Sequence, residues 1–402
     1  MGRLFSRERF GKPQVLAGML LLIFVTECAW LLAHSAPNME SAEEVVRVHE
    51  GLEQWHGHGI AGTPAMQPDA APEWAGLRSN EYDPDHSPLW YLIGAAPVAV
   101  LRVAPGSAFG LWLTHAPYVL FGVLLGASVW YVSRRLYGNA GGYIALALYC
   151  FSPTVVRSGA LWVAPPDIAA AWGTFGAVFT AIAVSHTLYA PREVVLWNYR
   201  RIVLLGISLA LAVGSQFSLA LVIPLLLVFV FYLAPERRSA ALAILAAASA
   251  VGLALLLAAY FFHPGIFLQS LKHARLLTVS AAALGMQGAY LQVLKEIASS
   301  GPVLVVLVPA ALLTYALWRR SRYFGNTAPL LIALLFLALR AASPHDPDSV
   351  FSLLGAVFLF VFVAGVMADL LETEGREVTA AVVTGLLAAN ALWNLIGLGR
   401  IG

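Results

Sequence analysis

Residues 15–35 read VLAGMLLLIFVTECAWLLAHS, an apolar run with a single carboxylate, Glu27, near its middle. About 20 mostly apolar residues suffice to carry a helix across the hydrocarbon core of a bilayer. The run is that long, so it reads as a membrane-spanning helix. No small-residue cleavage pattern is clear around His34-Ser35-Ala36-Pro37, so the reading is a retained signal anchor. A carboxylate at membrane depth is costly. Glu27 therefore needs a partner inside the bundle or a task.

The rest of the chain repeats the pattern. Similar runs lie near 111–132, 140–157, 169–189, 202–216, 217–234, 240–262, 302–318, 326–342, 350–369 and 378–397, about eleven spans in all. They are unbroken and rich in Leu, Ala and Val, unlike the ten-residue alternating segments of a membrane β-barrel. Gly214, Ser215 and Gln216 mark a tight turn between two of them. Over 402 residues, 59% are hydrophobic and 11% charged, against about 25% charged in soluble domains. That composition excludes a soluble globule, a disordered chain, a disulfide scaffold and a nucleic-acid binder. The net charge of +2 says little about partners. Cys28 and Cys150 lie in apolar runs and read as small hydrophobes. The expected fold is all-α: one polytopic transmembrane bundle over 1–402, with a first exoplasmic loop that carries surface helices.

Lysine and arginine orient it. Arg3/Arg7/Arg9/Lys12, Arg134/Arg135, Arg192/Arg200/Arg201, Arg237/Arg238, Arg319/Arg320/Arg322 and Arg376 all fall on one side of the eleven-span arrangement. Cytoplasmic loops hold the excess of positive charge, so the N-terminus is cytoplasmic. Were the apolar segment 88–104 to cross as well, every later cluster would invert. Parity therefore keeps it in the interface or re-entrant, in keeping with its two prolines. The exoplasmic loops are then 36–110, 158–168, 263–301 and 341–349. In the first, 40–55 (ESAEEVVRVHEGLEQW) has Val45, Val48, Leu52 and Trp55 at helical spacing, which predicts an amphipathic helix on the membrane surface. Trp30, Trp90, Trp112, Trp162 and Trp318 near span ends read as interfacial anchors.

Carboxylates are scarce, and two follow spans at the outer edge. Glu40 opens the surface helix, and Asp167, in PPDIAAAW, stands where its side chain can cap the next span. Around them runs a succession of short motifs: ESAEEVVRVHEGL from Glu40, HSPLWYL at 86–92, SRRLYG at 133–138, FSPT at 151–154, then Arg157 and Pro166-Asp167. In order and spacing this resembles the integral-membrane GT-C glycosyltransferases, in particular the protein mannosyltransferase and lipid A aminoarabinose transferase branch. The likeness covers about 15–190, a catalytic half that includes loop 36–110. Residues 191–402 form a C-terminal helical bundle.

The resemblance implies a transferase that moves a sugar from a polyprenyl-phosphate-linked donor to an acceptor hydroxyl or amine, with inversion. The family's first acid matches Glu40; because Ser41 follows it, the register also admits Glu43 or Glu44. The second acid matches Asp167. Glu40 is assigned as the base on the acceptor, with Asp167 as second candidate or orienting partner. The family's His/Lys-Pro-Pro-Leu element matches His86-Ser87-Pro88-Leu89, preceded by Asp85. A departing phosphate needs a cation or a metal, and Arg78, Arg157, Lys272, Arg275 and Arg340 are the candidates outside. Two positions depart from the family: Ser215-Gln216 stands where a mid-chain Lys is common, and His345-Asp346-Pro347-Asp348 replaces a late Arg-Tyr. The partners implied are a lipid-linked sugar, a lipid, glycan or protein acceptor, and the bilayer, at a plasma (inner) membrane with a periplasmic site.

No cofactor is demanded. His56, His58, Asp83, Asp85 and His86 are donors enough for a divalent cation, but their spacing is not that of a known metal motif, and metal use stays open. Two other functions compete. A polysaccharide polymerase or ligase of another membrane class would place its site in loop 263–301, with Lys272, His273, Arg275 and Lys295. A secondary transporter would show repeated halves with broken helices at midplane, and no repeat is present.

Overall fold

The computed structural model describes residues 12–34, 48–56, 86–104, 107–160, 167–189, 199–274, 276, 280, 282–343, 350–373 and 376–399. Among these the chain is helical, with no strand. In order, the helices are α1 Pro13–His34, a helix whose described part is 48–55, α2 Leu89–Leu101, α3 Ala108–Cys150, α4 Pro153–Ala160, α5 Asp167–Thr187, α6 Tyr199–Ser215, α7 Val222–Leu233, α8 Arg238–Ala259, α9 Pro264–His273, α10 Gln287–Ser300, α11 Leu304–Leu317, α12 Phe324–Ala342, α13 Val350–Leu371 and α14 Arg376–Gly399. Seven of them (α1, α3, α5, α8, α12, α13, α14) are each long and apolar enough to cross a membrane, and the bent pair α10–α11 makes up to eight. The chain is a multi-pass membrane protein.

The eleven expected apolar runs fall on these helices, but fewer than eleven are long enough to cross by themselves. At 43 residues α3 is about 65 Å long, twice the hydrocarbon thickness. Gly138, at φ +74°, divides it within the gap expected between 132 and 140. The predicted turn at 214–216 is a break: Gln216 is extended, a 3-10 turn follows over Phe217–Leu221, and α7 begins at Val222. The other expected spans without a long helix of their own are α6, α7 and α11, all shorter than 18 residues. With 13 residues α2 is about 20 Å long, too short to cross.

The helices sort into two compact units. One holds Met1–Ser35, Val119–Leu161 and Thr278–Gly402; the other holds Ala36–Tyr118 and Trp162–Leu277.

The first unit is built on α13, which is buried along nearly its whole length. Lipid tails are as apolar as Leu, so helices in a bilayer associate through close packing of small residues. Here α12 and α13 approach through Gly355, which faces Leu337, and Gly365, which faces Asn326 and Tyr137. Phe336 stacks on Phe351 and Phe358. At one end, Tyr137 donates to the Gly325 carbonyl at 2.5 Å, Asn326 donates to Asp369 at 2.9 Å, and Arg320 meets Glu372 at 3.2 Å. Two of the predicted basic clusters, 134–135 and 319–322, are thereby brought to the same end of this unit. Glu27 finds the partner its depth demands: it is 3% exposed, and Asn394 of α14 donates to its Oε2 at 2.9 Å. Cys28 and Cys150 are buried free thiols.

Arg340 lies in the last turn of α12 and is buried. Its guanidinium meets Glu296 of α10 at 2.7 Å, and Nη1 donates to the Ser343 carbonyl. Ser352 also donates to the Glu296 carboxylate. α10 turns 108° away from α11 and lies in the loop expected outside the membrane. Burial alone would push the Glu296 carboxyl up. The hydrogen bonds from Arg340 and Ser352, the Arg340 charge and a bond from Gln292 outweigh it and hold the group below the usual carboxylate range. Arg340→Ala strands this carboxylate and is expected to cost about 3 kcal/mol, read as a lower unfolding temperature in detergent. Because the folded value is depressed, the stabilisation is complete above the ordinary carboxylate value and is lost as pH falls through the folded one. Acidification from neutral to below about pH 4 should therefore destabilise the wild type more than Arg340→Ala.

Candidate functional site

The second unit places its polar groups at one end of a helix pair. α5 and α6 run antiparallel in close contact. Arg201 donates to the Ala183 carbonyl at 3.4 Å, Gly176 faces Ser208, and Gly173 faces Ser208, Leu211 and Ala212. A Cβ at Gly173 would lie 2.5 Å from the Ala212 nitrogen, so only glycine allows the two backbones to approach this closely. The antiparallel run places Asp167, the first residue of α5, toward the end of the pair where α6 finishes at Ser215. Arg200 and Arg201 mark the opposite end.

The segment ahead of α2 reaches this end too. Ser87 is buried and both its N–H (2.9 Å) and its hydroxyl (2.7 Å) donate to the Gly214 carbonyl. Leu89 packs over Gly214, where a Cβ would lie 2.8 Å from its Cδ2. Leu89 and Leu256 thus close over the bare face of Gly214, beside the seat of Ser87 on α6. His86 precedes it with its ring 5.9 Å from that of Trp90, edge-on. Thus Asp167, His86-Ser87-Pro88-Leu89 and Ser215-Gln216, three stretches remote in sequence, share one end of the unit. Asp167, Ser215, Gln216 and Ser218 are all buried there. Polar groups are expensive in an apolar interior unless hydrogen-bonded.

The helix over 48–55 leans on the same segment. Val48 and Leu52 pack against Ala95 and Val98 of α2. Gln54 donates to the Tyr91 hydroxyl at 3.2 Å, and Trp55 to the Leu92 carbonyl at 2.9 Å. Val48 and Leu52 of the predicted amphipathic stripe thus pack against protein instead of lipid. Trp90 departs from its expected role as an interfacial anchor: it is 2% exposed, and Tyr118 donates to its carbonyl at 2.5 Å.

The other sequence-predicted residues fall as follows. Glu40, Glu43, Glu44, Asp85, Arg275 and His345 lie outside the described residues. Arg340 is engaged by Glu296. Arg157, on α4 in the first unit, is exposed and lines a cavity of about 260 Å³ with Leu31, Val156, Trp393 and Asn394. The sequence reading did not connect Arg340 to Glu296, or Glu27 to Asn394, because the partners are 44 and 367 positions apart. No group of three or more His, Cys, Asp or Glu side chains able to hold a metal forms among the described residues. His58, Asp83 and Asp85 lie outside them.

No protein-family model matches the chain, and no curated protein sequence does. Its fold is found in solved structures of an Archaeoglobus fulgidus oligosaccharyltransferase. AglB in complex with an inhibitory peptide and a dolichol-phosphate aligns with a TM-score of 0.59 at 13% identity, over 96% of this chain and 55% of that one. The apo form aligns with a TM-score of 0.56 at 13% identity, over 95% and 55%. A complex with Zn and sulfate aligns with 0.50 at 15% identity, over 79% and 44%. The chain thus spans about half the length of these neighbours. At 13–15% identity the likeness is one of fold, and the all-α bundle expected from the apolar runs is the fold observed.

The helix pair is open to a direct test. Cysteines placed by Gly176→Cys and Ser208→Cys should cross-link on oxidation in membranes. Adding Gly173→Val, which drives a branched side chain into the Ala212 backbone, should suppress the cross-link. Equal cross-linking with and without Gly173→Val would contradict the close approach.

Proposed function

We propose that the chain is a membrane glycosyltransferase that moves a sugar from a polyprenyl-phosphate-linked donor to an acceptor hydroxyl or amine on the exoplasmic face. What supports this reading is that Asp167, at the start of α5, and His86-Ser87-Pro88-Leu89, seated on Gly214 near the end of α6, lie toward the same end of the α5–α6 pair. It is supported by a fold shared with a protein whose solved complex holds a dolichol-phosphate.

The chemistry asks for a base, a place for the departing phosphate and an apolar berth for the lipid. Glu40, at the start of loop 36–110, is proposed as the base that takes the proton of the acceptor, and Asp167 as the second acid that orients the acceptor or the base. Glu43 and Glu44 are the alternative first acids in register. His86 and Asp85 are proposed to contact substrate beside them, with His345 as a further contact. Attack opposite the phosphate inverts the anomeric carbon, and the bond from that carbon to the phosphate oxygen breaks. Charge then grows on the phosphate, where fixed cations act most strongly. Glu296 neutralises Arg340, and of the remaining outer cations Arg78, Arg157, Lys272 and Arg275, Arg157 and Arg275 are proposed to meet the phosphate. Metal use is left open, and no step here runs through one.

The arginine clusters support the proposed orientation, with the N-terminus in the cytoplasm and Asp167 at the outer face, opposite Arg200 and Arg201, and a plasma (inner) membrane is proposed. Cysteines at 134–138 and at 60–80 should then label from opposite sides of sealed vesicles. The decisive assay uses membranes and a labelled polyprenyl-phosphate sugar. Glu40→Gln and Asp167→Asn should each lower transfer by about 10²-fold or more with folding retained. Transfer that survives both substitutions sinks the assignment.

A further inference from the structure

The cavity beside α4 has a chemistry of its own. It is bounded by Leu31 of α1, Val156 and Arg157 of α4, Ser299 of α10, and Trp393 and Asn394 of α14. We propose that it binds a lipid bearing a terminal phosphate, with Arg157 as the group that holds the anion. This deepens the transferase reading, on which it rests for its choice of lipid, by naming where a carrier phosphate is held.

Charge comes first. Arg157 is the charged residue of the lining, and no carboxylate among the described residues pairs with it. Its counterpart Arg340 is neutralised by Glu296. An unneutralised guanidinium over apolar walls is a seat for an anion, and its planar fork suits phosphate oxygens.

Shape comes second. About 260 Å³ is just below the 300–1,000 Å³ usual for drug-sized ligands. It admits a headgroup and the first atoms of a chain, not a whole lipid. Beside the cavity, Leu392, Trp393, Leu395 and Ile396 of α14 are exposed apolar side chains. α1 and α14 both qualify as membrane-crossing helices, so a tail leaving the cavity has an apolar path along α14.

The walls are built to hold their form. Asn394 is fixed by Glu27 and stands in the lining, which Glu27 does not reach. One turn earlier, Asn390 donates to the Phe151 carbonyl at 3.1 Å. One turn later is Gly397, where an added Cβ would meet nothing within 4 Å. A side chain at 397 would thus occupy the cavity without disturbing the packing. On the other wall, Ser300 donates to the Thr154 hydroxyl at 3.1 Å and ties α10 to α4 one turn from Arg157.

The test uses the full-length protein in detergent, with farnesyl phosphate, farnesol and inorganic phosphate as probes and native mass spectrometry as the readout. Farnesyl phosphate should bind at least tenfold more tightly than farnesol, and millimolar inorganic phosphate should not displace it. Arg157→Ala should weaken farnesyl phosphate about tenfold or more, while Arg157→Lys keeps most of the binding. Gly397→Leu should weaken it by filling the space, with an unchanged unfolding temperature. The proposal is overturned if Arg157→Ala and Gly397→Leu both bind farnesyl phosphate as the wild type does. It is also overturned if inorganic phosphate displaces the lipid, which would mark a small-anion site. Binding and transfer are read separately. Arg157-dependent binding in a protein that transfers no sugar upholds the cavity and removes the transferase. Transfer by the wild type with binding indifferent to Arg157 and Gly397 does the reverse.

Discussion

The contact on which the candidate site depends is the backbone approach of α5 to α6 at Gly173. In a bilayer every backbone group is satisfied within its own helix, and apolar side chains gain little by leaving lipid for protein. Helices are therefore held by surface fit, and fit is closest where side chains are smallest. Gly173 against Ala212 and Gly176 against Ser208 form such a seam. Its consequence is chemical. It fixes how far α5 slides along α6, and so sets Asp167 toward the end of the pair where α6 finishes at Ser215. Gly214 extends the same device, since Leu89 and Leu256 close over its bare face beside the seat of Ser87. Small residues place the polar ones.

Much of this was legible in the linear sequence, because the bilayer imposes length and hydropathy on each crossing. The turn at Gly214-Ser215-Gln216, the division of α3 at Gly138 and the short α2 are local facts, written in turn residues and run lengths. The partner of Glu27 could be expected as a class, since a carboxylate at that depth needs one. Its identity could not: Asn394 is on the last helix. The Glu296–Arg340 pair was hidden for the same reason, and Arg340 reads from sequence as an outer cation. Periodicity also names a face without naming what covers it. Val48 and Leu52 have the spacing of a membrane-surface helix, yet they pack on Ala95 and Val98. Trp90 has the sequence address of an interfacial anchor and the burial of a core residue.

A shared fold and a shared function are different claims. At 13% identity the likeness to the oligosaccharyltransferase concerns the path of the backbone. The functional reading has to come from this chain's own side chains. What it has to offer is specific: buried Asp167, Ser87 and Ser215-Gln216 lie toward one end of the α5–α6 pair. The position where a Lys is common in the resembled family is Ser215-Gln216, which is neutral. If a phosphate is handled by this protein, its positive charge has to be supplied from elsewhere in the chain.

Two arginines illustrate how that charge is allotted. Arg157 and Arg340 each sit in the last turn of a helix at a span end, and from sequence they are alike. Burial separates them. Arg340 is 8% exposed, and a buried guanidinium without a counter-charge would cost several kcal/mol. Glu296, Ser343 and Ser352 satisfy that demand, so its charge is spent inside the fold. Arg157 is exposed, and its ion can stay solvated without a carboxylate beside it. A charge that stability does not require to be paired remains available to a ligand. In a chain with 11% charged residues, an uncompensated guanidinium beside an apolar cavity is the feature that packing alone does not account for.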